Sequence, residues 1–495
     1  MAPVHYSNSR FICIIGGGPA GMMAAIAAAR AGARVRLFDR MHRVGKKLLV
    51  TGNARCNLTN VACGPVHYHG GDPDFVRQAL LKLGPAQTRA FFEELGILTK
   101  VEDGGKVFPL CGQASAVLDV LRYEMRRLGV EELCDTRIRA IEKRGGSRGG
   151  FVLCGPDEMR IECDRVVLAA GGKAVPNLGS NGSGFDLARQ LGHTIVEPFP
   201  ALVQITLDAP FLKHLKGVRI QGAARLVIGN RPTPYLRDEI LMTDYGATGI
   251  PILQLSRLVG ENAMEGSERG EAHAAEPEKP GGAPAHAAKP EKPGGAPAQA
   301  AKSQREPAHF AQAPQPPAHA AKPHAPLSLE IDILPDIKEA DLQSLLMERF
   351  CAHPDRSLEF SLVGLIHKRL LAVSLKAAGI ADAGQPCGGV EWREAGLIAG
   401  AIKRWRIPVS GTQSWMHAQV TAGGVSTAEI DPATMASRLA PGLFFAGEVI
   451  DVDGDCGGYN LQWAWSSGHL AGASAAGKPD TVKPDTGKSN AGEGE

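Results

Sequence analysis

The 495-residue sequence predicts an α/β fold whose two ends belong together. Three observations predict it. Residues 11–38 read as strand, glycine turn, helix and strand. Residues 442–476 read as a buried strand, a second glycine turn and a closing helix. Between them the pattern is β-type over 195–257 and helical over 337–403. A chain of this length should hold two or three domains.

The elements follow in order. Phe11–Ile15 is a short apolar run, as a buried strand requires, and glycines at 16, 17, 18 and 21 punctuate it. Met22–Ala31 is rich in Ala and Met and is stopped by Gly32; Ala33–Phe38 is the second strand of a β-α-β unit. Helical periodicity covers 75–95 and 113–129, and Lys100–Phe108 suits a hairpin turning at Asp103-Gly104-Gly105. Short strands are expected at Asp135–Glu142, Phe151–Cys154 and Met159–Cys163. Arg165–Ala170 is a buried strand running into Gly171-Gly172. Further β-type runs are Leu202–Leu207, Ala224–Ile228 and Leu327–Ile333. Gly442–Val449 is the last strand and 461–476 the last helix.

Composition narrows the function classes. Lys and Arg (54) nearly cancel Asp and Glu (52), so no global field draws the chain to nucleic acid or to a membrane surface, and neither partner is expected. Ten cysteines are scattered without a CxxC or metal-ligand spacing, which points to a reducing, cytoplasmic compartment and to no metal site. Residues 261–326 are almost wholly Ala, Pro, His, Lys, Glu and Gly. They contain the tandem repeat HAAEPEKPGGAPA and HAAKPEKPGGAPA. Such a segment buries too little apolar surface to offset its ordering entropy and reads as a disordered insertion. A proline-rich docking tract is the alternative, but no clean PxxP-plus-arginine pattern supports it.

Three constellations carry chemistry. The first is Gly16-x-Gly18-x-x-Gly21, with Asp39 at the end of the second strand. Gly16 permits the tight turn, Gly18 the approach of a pyrophosphate, and Gly21 the packing of helix on strand. The helix start offers free N–H groups and partial positive charge to phosphate. An acid at 39 suits ribose hydroxyls and disfavours a 2′-phosphate, so the tightly held nucleotide is FAD or NAD rather than NADP. A methyltransferase also uses a glycine loop and an acid but lacks the later features. The second constellation, Gly45 to Asn57, puts Lys46, Lys47 and Arg55 among small residues beside that site, where they can neutralise a dinucleotide. The third runs from Gly447-Glu448 through Asp451, Asp453 and Asp455 to Gly457-Gly458-Tyr459-Asn460-Leu461. Glu448 can face ribityl hydroxyls, and a helix opening at Gly457-Gly458 can face the flavin N1/O2 edge. A calcium loop fails on register: the glycine and the closing glutamate are misplaced.

The segments GGGPAGMMAA, GKKLLVTGNARCNLTN, GGKAVPNLGSNGSGFDLARQLGHTI, TDYGATGIPILQLS, VTAGGVSTAEIDPATMASRLAPGLFFAGE and VDGDCGGYNLQWAWSSG together resemble one flavoprotein family. It is known as the aminoacetone oxidase family or the BaiN-like NAD(P)/FAD-dependent oxidoreductases. The resemblance spans the chain except for 261–326 and the tail after Gly477. It implies a discontinuous, doubly wound, Rossmann-like FAD domain (1–195 and 425–477). A β-rich domain (196–260, 327–336 and 405–424) and a helical domain (337–404) would interrupt it, with a disordered tail at 478–495. It implies FAD contacts at Gly16, Gly18, Ala20, Gly21, Asp39, Lys46, Lys47, Gly171, Gly172, Gly447, Glu448, Gly458, Asn460 and Leu461, with Ile138 meeting adenine. Arg40, Asn53, Cys56, Ala170 and Gly457 adjoin these positions and complete the expected cofactor set. Members often carry glycine where Ala54 stands.

The resemblance implies hydride transfer at flavin N5 to a small hydrophobic substrate, and the family's name alone suggests an enone, a steroid or a bile-acid-like molecule. No second Gly-x-Gly-x-x-Gly unit follows a strand, so NADH or NADPH is expected only transiently. Gly179-x-x-Gly182-x-Gly184 precedes a helix and reads as a flexible entry or a phosphate contact. Asp244, Tyr245 and His417 are polar candidates for an interdomain substrate cleft, but the sequence assigns no catalytic residue. An oxygen-linked amine oxidase and a flavin-binding regulatory or docking protein remain the alternatives. Oligomeric state is left open.

Overall fold

The computed structural model describes residues 9–72, 74–145, 149–274 and 325–477. The elements that frame the site are, in chain order, β1 (Phe11–Ile15), α1 (Pro19–Arg30), β2 (Arg34–Phe38), α2 (Ala114–Arg127), β3 (Glu131–Leu133), β4 (Arg165–Leu168), α3 (Ser183–Gln190), β5 (Ile205–Leu207), β6 (Arg219–Ile228), β7 (Leu236–Met242), β8 (Gly246–Thr248), α4 (Ile250–Ala274), β9 (Leu327–Asp332), α5 (Glu339–Ala352), α6 (Trp392–Lys403), β10 (Trp405–Thr412), β11 (Leu443–Phe445) and α7 (Tyr459–Ala476).

A parallel sheet in the order β11-β4-β1-β2-β3 forms the first layer. β1 is central and nearly wholly buried, as expected where helices cover both faces of a parallel sheet. Strand β3 was not expected, while the strand expected at Asp135–Glu142 is present in shortened form at Ala140–Lys143, outside the parallel sheet. The chain turns back straight after α2, and Glu131 pairs with Arg36 and Arg34 along the sheet edge. A polar edge strand has no apolar run to betray it. The region that followed in the sequence reading becomes a separate antiparallel sheet of Ala140–Lys143, Phe151–Cys154 and Arg160–Cys163.

Helix α7 lies against α1. A Cβ added at Gly468 would stand 2.4 Å from Ala20 O, and one at Gly472 2.2 Å from Ala24 O. The two glycines therefore let the last helix touch the backbone of the first, and so bring the far ends of the sequence together.

The second unit is a closed barrel. Strands run β6-β7-β8-β5-β10-β9, and β9 pairs back with β6. Closure leaves this sheet without a free edge. Its buried Leu226, Ile240, Leu329 and Ile407 join α5 and α6 in a core separate from that of the parallel sheet. Ile195–Ala201 and Val420–Val425 pair antiparallel where the chain leaves and re-enters the first unit. Helix α4 crosses the composition break at 260: Gly260 packs on Phe199 and Asn262 is buried. The expected insertion thus begins inside a helix. Residues 275–324 lie outside the described residues, as does 478–495.

Candidate functional site

The glycine turn between β1 and α1 is built by steric demand. A Cβ at Gly16 (φ 108°) would lie 2.3 Å from Ala169 O, and one at Gly21 would lie 1.8 Å from Gly16 O. Gly18 differs: it has φ −77°, caps α1, and a Cβ there would meet nothing within 4 Å. No side chain caps α1, so its first N–H groups face open space. Asp39 holds the turn as well as facing the cavity. Its Oδ2 accepts from Gly17 N–H at 2.8 Å and its Oδ1 from Met41 N–H at 2.7 Å. Burial pushes its carboxyl above the ordinary range, and the two backbone bonds oppose that shift.

The loop after β2 is backbone-strained. Asn53, Ala54 and Cys56 take φ of 56°, 62° and 63°, the left-handed region that non-glycine residues enter at a cost. Two residues expected at the cofactor, Lys47 and Glu448, also pair with each other. Lys47 Nζ lies 2.7 Å from Glu448 Oε2, and Glu448 Oε1 accepts from Thr421 N–H at 2.7 Å. The Thr421 hydroxyl in turn accepts from Lys173 N–H (2.8 Å) and Ala174 N–H (3.1 Å).

At the far end, Gly457 and Gly458 take φ of 139° and 104°. A Cβ on Gly458 would lie 2.6 Å from Thr59 O. Helix α7 starts there without a side-chain cap. The Asn460 side chain folds the turn, accepting from Gly454 N–H at 2.8 Å and donating to Gly454 O at 2.7 Å. The three alternating acids are separately engaged. Asp455 contacts His67 (3.2 Å) and His69 (2.9 Å), and Asp453 pairs with Arg257 at 3.0 Å. Asp451 is buried near Asp453, and burial first, then that neighbour, push its carboxyl up to about 6.

One cavity of about 1170 Å³ joins both ends. Gly16, Gly18, Ala20, Asp39, Arg40, Lys46, Lys47, Asn53, Ile138, Ala170, Gly171, Gly447, Glu448, Gly457, Gly458, Asn460 and Leu461 all line it. Gly21, Cys56 and Gly172 do not. Gly21 packs α1 on its own turn. The Cys56 thiol is fully buried and its pKa is pushed up to about 12 by that burial. Gly172 makes room for Thr421, whose Oγ1 would lie 2.3 Å from an added Cβ. Asp244, Tyr245 and His417 are also absent from the wall; Asp244 instead pairs with Lys216 at 2.8 Å. Gly179 and the start of α3, with Ser180 and Ser183, do reach it.

Several wall residues were not read from sequence. Leu202, Leu253 and Val420 cluster beside the barrel as an apolar side of the cavity, Leu241 of β7 adds to the wall, and Cys456 packs on that cluster with Lys106 also in the wall. Asn57 Oδ1 is buried without a hydrogen-bond partner. Local signals existed for Cys456, beside the Gly457-Gly458 turn, and for Asn57, at the end of the Gly45–Asn57 constellation. No helix among the described residues is long and apolar enough to cross a membrane.

Residues 10–474 match the family described as HI0933-like protein Rossmann domain. The chain is 35% identical over 476 residues to a 3-dehydro-bile acid delta(4,6)-reductase of Clostridium scindens, covering 94% of this chain and 99% of that relative. It is 29% identical over 455 residues to a ribosomal RNA dihydrouridine synthase of Escherichia coli, covering 92% of this chain and 95% of the relative. Among solved structures, a 3-ketosteroid delta1-dehydrogenase from Sterolibacterium denitrificans matches with a TM-score of 0.43 and 11% identity, over 95% of this chain and 100% of that one. With a match across nearly its whole length, the chain belongs to the HI0933-like family, the BaiN-like and aminoacetone oxidase-like FAD-dependent oxidoreductases.

Proposed function

We propose that this oxidoreductase reduces a carbon–carbon double bond conjugated to a carbonyl in a small hydrophobic substrate, with NADH or NADPH as transient reductant. The observation that carries the reading is the continuity of one cavity. It runs from the glycine turn of α1 to that of α7 and ends on the apolar side beside the barrel.

The wall suits FAD along its length. The uncapped start of α1, the open space at Gly18 and the Lys46 ammonium suit a pyrophosphate. Asp39 keeps lone pairs for ribose hydroxyls beside its backbone bonds, and buried Ile138 would border adenine. Ala170, Gly171, Gly447 and Glu448 would border the ribityl chain. The uncapped start of α7, at Gly458 and Leu461, suits the carbonyl edge of the ring. Asn57 Oδ1, an acceptor without a donor, suits an N–H there. Bound in this cavity, FAD supplies hydride transfer at N5. The chain supplies position, a dry apolar side and fixed charge.

The relatives' names support the substrate class. A 4,6-double-bond system beside a 3-oxo group and the 5,6 double bond of uracil are both conjugated to a carbonyl, so one chemistry serves both. Leu202, Leu241, Leu253 and Val420 favour the hydrophobic substrate. The relatives named for ribosomal RNA support a uracil base in RNA as the second reading. Ten cysteines, none in a disulfide, support a reducing, cytoplasmic setting.

The test is anaerobic mixing of the FAD-loaded protein with NADH and with NADPH, then with a 3-oxo-4,6-diene steroid or a uridine-containing RNA. Flavin bleaching followed by a product heavier by two hydrogens is expected. Bleaching by amines but by neither nicotinamide would replace the reading with an amine oxidase. No bleaching by any donor would leave a flavin-binding docking protein.

A further inference from the structure

Side chains at the barrel end of the cavity that can carry or take a proton include Glu102, Asp103, Glu239, Asp455, Lys106 and Cys456, of which Glu102 is paired with Arg55 and Lys100. Glu239 is paired with Arg219. Asp455 is held between two imidazoles, and although burial opposes it, the bonds from His69 and His67 keep its carboxyl below the usual range. It stays an anion. The Lys106 and Cys456 side chains have no hydrogen-bond partner among the described residues.

One buried amide ties together the two backbone segments that carry them. Asn60 is buried, and its Nδ2 donates to Gly104 O at 2.9 Å and to Gly457 O at 3.1 Å. The first carbonyl lies just before Lys106 and the second just after Cys456. Asn60 also stands opposite Lys106 in the strand ladder. Cys456 packs with Phe199 on the apolar cluster of Leu202, Leu253 and Val420, between the α7 turn and the barrel. Burial pushes its thiol up; the nearby Lys106 charge opposes this, and Asp455 and Asp238 add to it. The thiol is therefore protonated at neutral pH. Asn57 Oδ1, the acceptor suited above to the flavin edge, lies in the same wall, so this end adjoins the ring.

We propose that Cys456 is the proton donor of the reduction, that Lys106 recharges it, and that Asn60 is a positioning residue for both; this rests on the double-bond reading above. Addition of hydride to the β carbon leaves an electron pair shared by the α carbon and the carbonyl. The Cys456 S–H bond breaks, its proton forms the new C–H bond at the α carbon, and sulfur keeps the electron pair as thiolate. The Lys106 ammonium returns a proton to sulfur and is itself reprotonated by water. The double bond thus gains one hydride, whose ultimate source is NADH or NADPH, and one proton from solvent.

The test compares wild type with Cys456→Ala and Cys456→Ser in the two half-reactions of the full-length holoenzyme. Return of oxidised-flavin absorbance on adding the steroid should slow by roughly 10²–10⁴-fold, the usual worth of a general acid. Reduction by the nicotinamide should change far less. A second measurement needs no turnover: iodoacetamide labelling of Cys456, followed by mass spectrometry across pH. Lys106→Met and Asn60→Ala should both move its midpoint to higher pH. Wild-type reoxidation rates in both cysteine variants, or an unmoved labelling midpoint in Lys106→Met, would overturn the proposal alone. A wild-type enzyme that is reduced by nicotinamide but saturates neither substrate overturns the double-bond reading, and the acid role with it.

Discussion

Lys47 Nζ lies 2.7 Å from Glu448 Oε2, across 401 positions of sequence, and so joins the loop after β2 to the turn after β11. Both side chains are only 21% exposed, so solvent screens the pair weakly. Removing either partner leaves the other charge half-buried, and Lys47→Met or Glu448→Gln should each cost about 1–3 kcal/mol. The double variant should lose less than the sum, which denaturant titration of all four proteins would read as a double-mutant cycle. Strictly additive losses would show that the pair holds nothing together.

Two glycines of one turn should behave oppositely. Gly21→Ala puts a methyl group 1.8 Å from Gly16 O, so the turn must break and the chain should lose stability or fail to accumulate. Gly18→Ala meets no protein atom and has an ordinary φ, so its melting point without cofactor should stay near wild type. The same methyl group fills the space in front of the α1 start. FAD affinity, measured by flavin fluorescence, should therefore fall at least about tenfold, or about 1.4 kcal/mol. Equal cofactor binding in Gly18→Ala would remove the pyrophosphate from this turn.

His193 sets a stability change near neutral pH. Its ring is fully buried, 3.0 Å from Glu429 Oε2 and 2.8 Å from Ser437 Oγ. Burial lowers its pKa, and Glu429 only partly opposes this. The unfolded chain therefore takes up a proton first as pH falls. The contribution of His193 is complete above the unfolded value of about 6.5 and is lost as pH drops below it toward the lower folded value. His193→Gln should be less stable than wild type at pH 8, with the difference narrowing toward pH 5 in thermal melts.

Asp451 works in the reverse sense. Its carboxyl is raised to about 6, so the folded state holds a proton that the unfolded chain has already released. Its contribution is present at low pH and disappears as pH rises through about 6. Carrying the anion at pH 7.5 costs up to about 3 kcal/mol. Asp451→Asn should stabilise the protein at pH 7.5 and have little effect at pH 4, read by the same melts.

Ala54 occupies a left-handed position at φ 62°. Glycine enters that region freely, although it adds freedom to the unfolded chain. Ala54→Gly should therefore stabilise by about 0.5–1 kcal/mol, visible as a small rise in melting temperature.

The parts of the fold that were legible in the sequence are those with local causes. Glycines 16, 18 and 21 answer steric demands within one turn, and β1, β4 and β11 are buried on both faces and so spell continuous apolar runs. What stayed hidden was non-local or polar. β3 is two glutamates and a leucine, and nothing in its own residues says that Arg36 will lie beside it. Closure of the barrel depends on β6 and β9 meeting across more than a hundred residues. Cys56 shares its loop with Lys46 and Lys47, so proximity in sequence suggested the site, but a positive φ turns its thiol into the core. Helix α4 was missed: residues 250–257 read as part of a β-type stretch and the residues after 260 as insertion, although Ala, Glu and Met sustain a helix without much apolar surface.

The packing of Gly468 and Gly472 on Ala20 and Ala24 also dictates an order of assembly. During synthesis α1 leaves the ribosome long before α7, the helix that covers it. A nascent chain stalled ahead of Leu443 has an open sheet edge at β4 and a bare face on α1, both attractive to chaperones and proteases. Truncation of α7 should therefore bare the α1 face and lower the steady-state level of the chain in the cell.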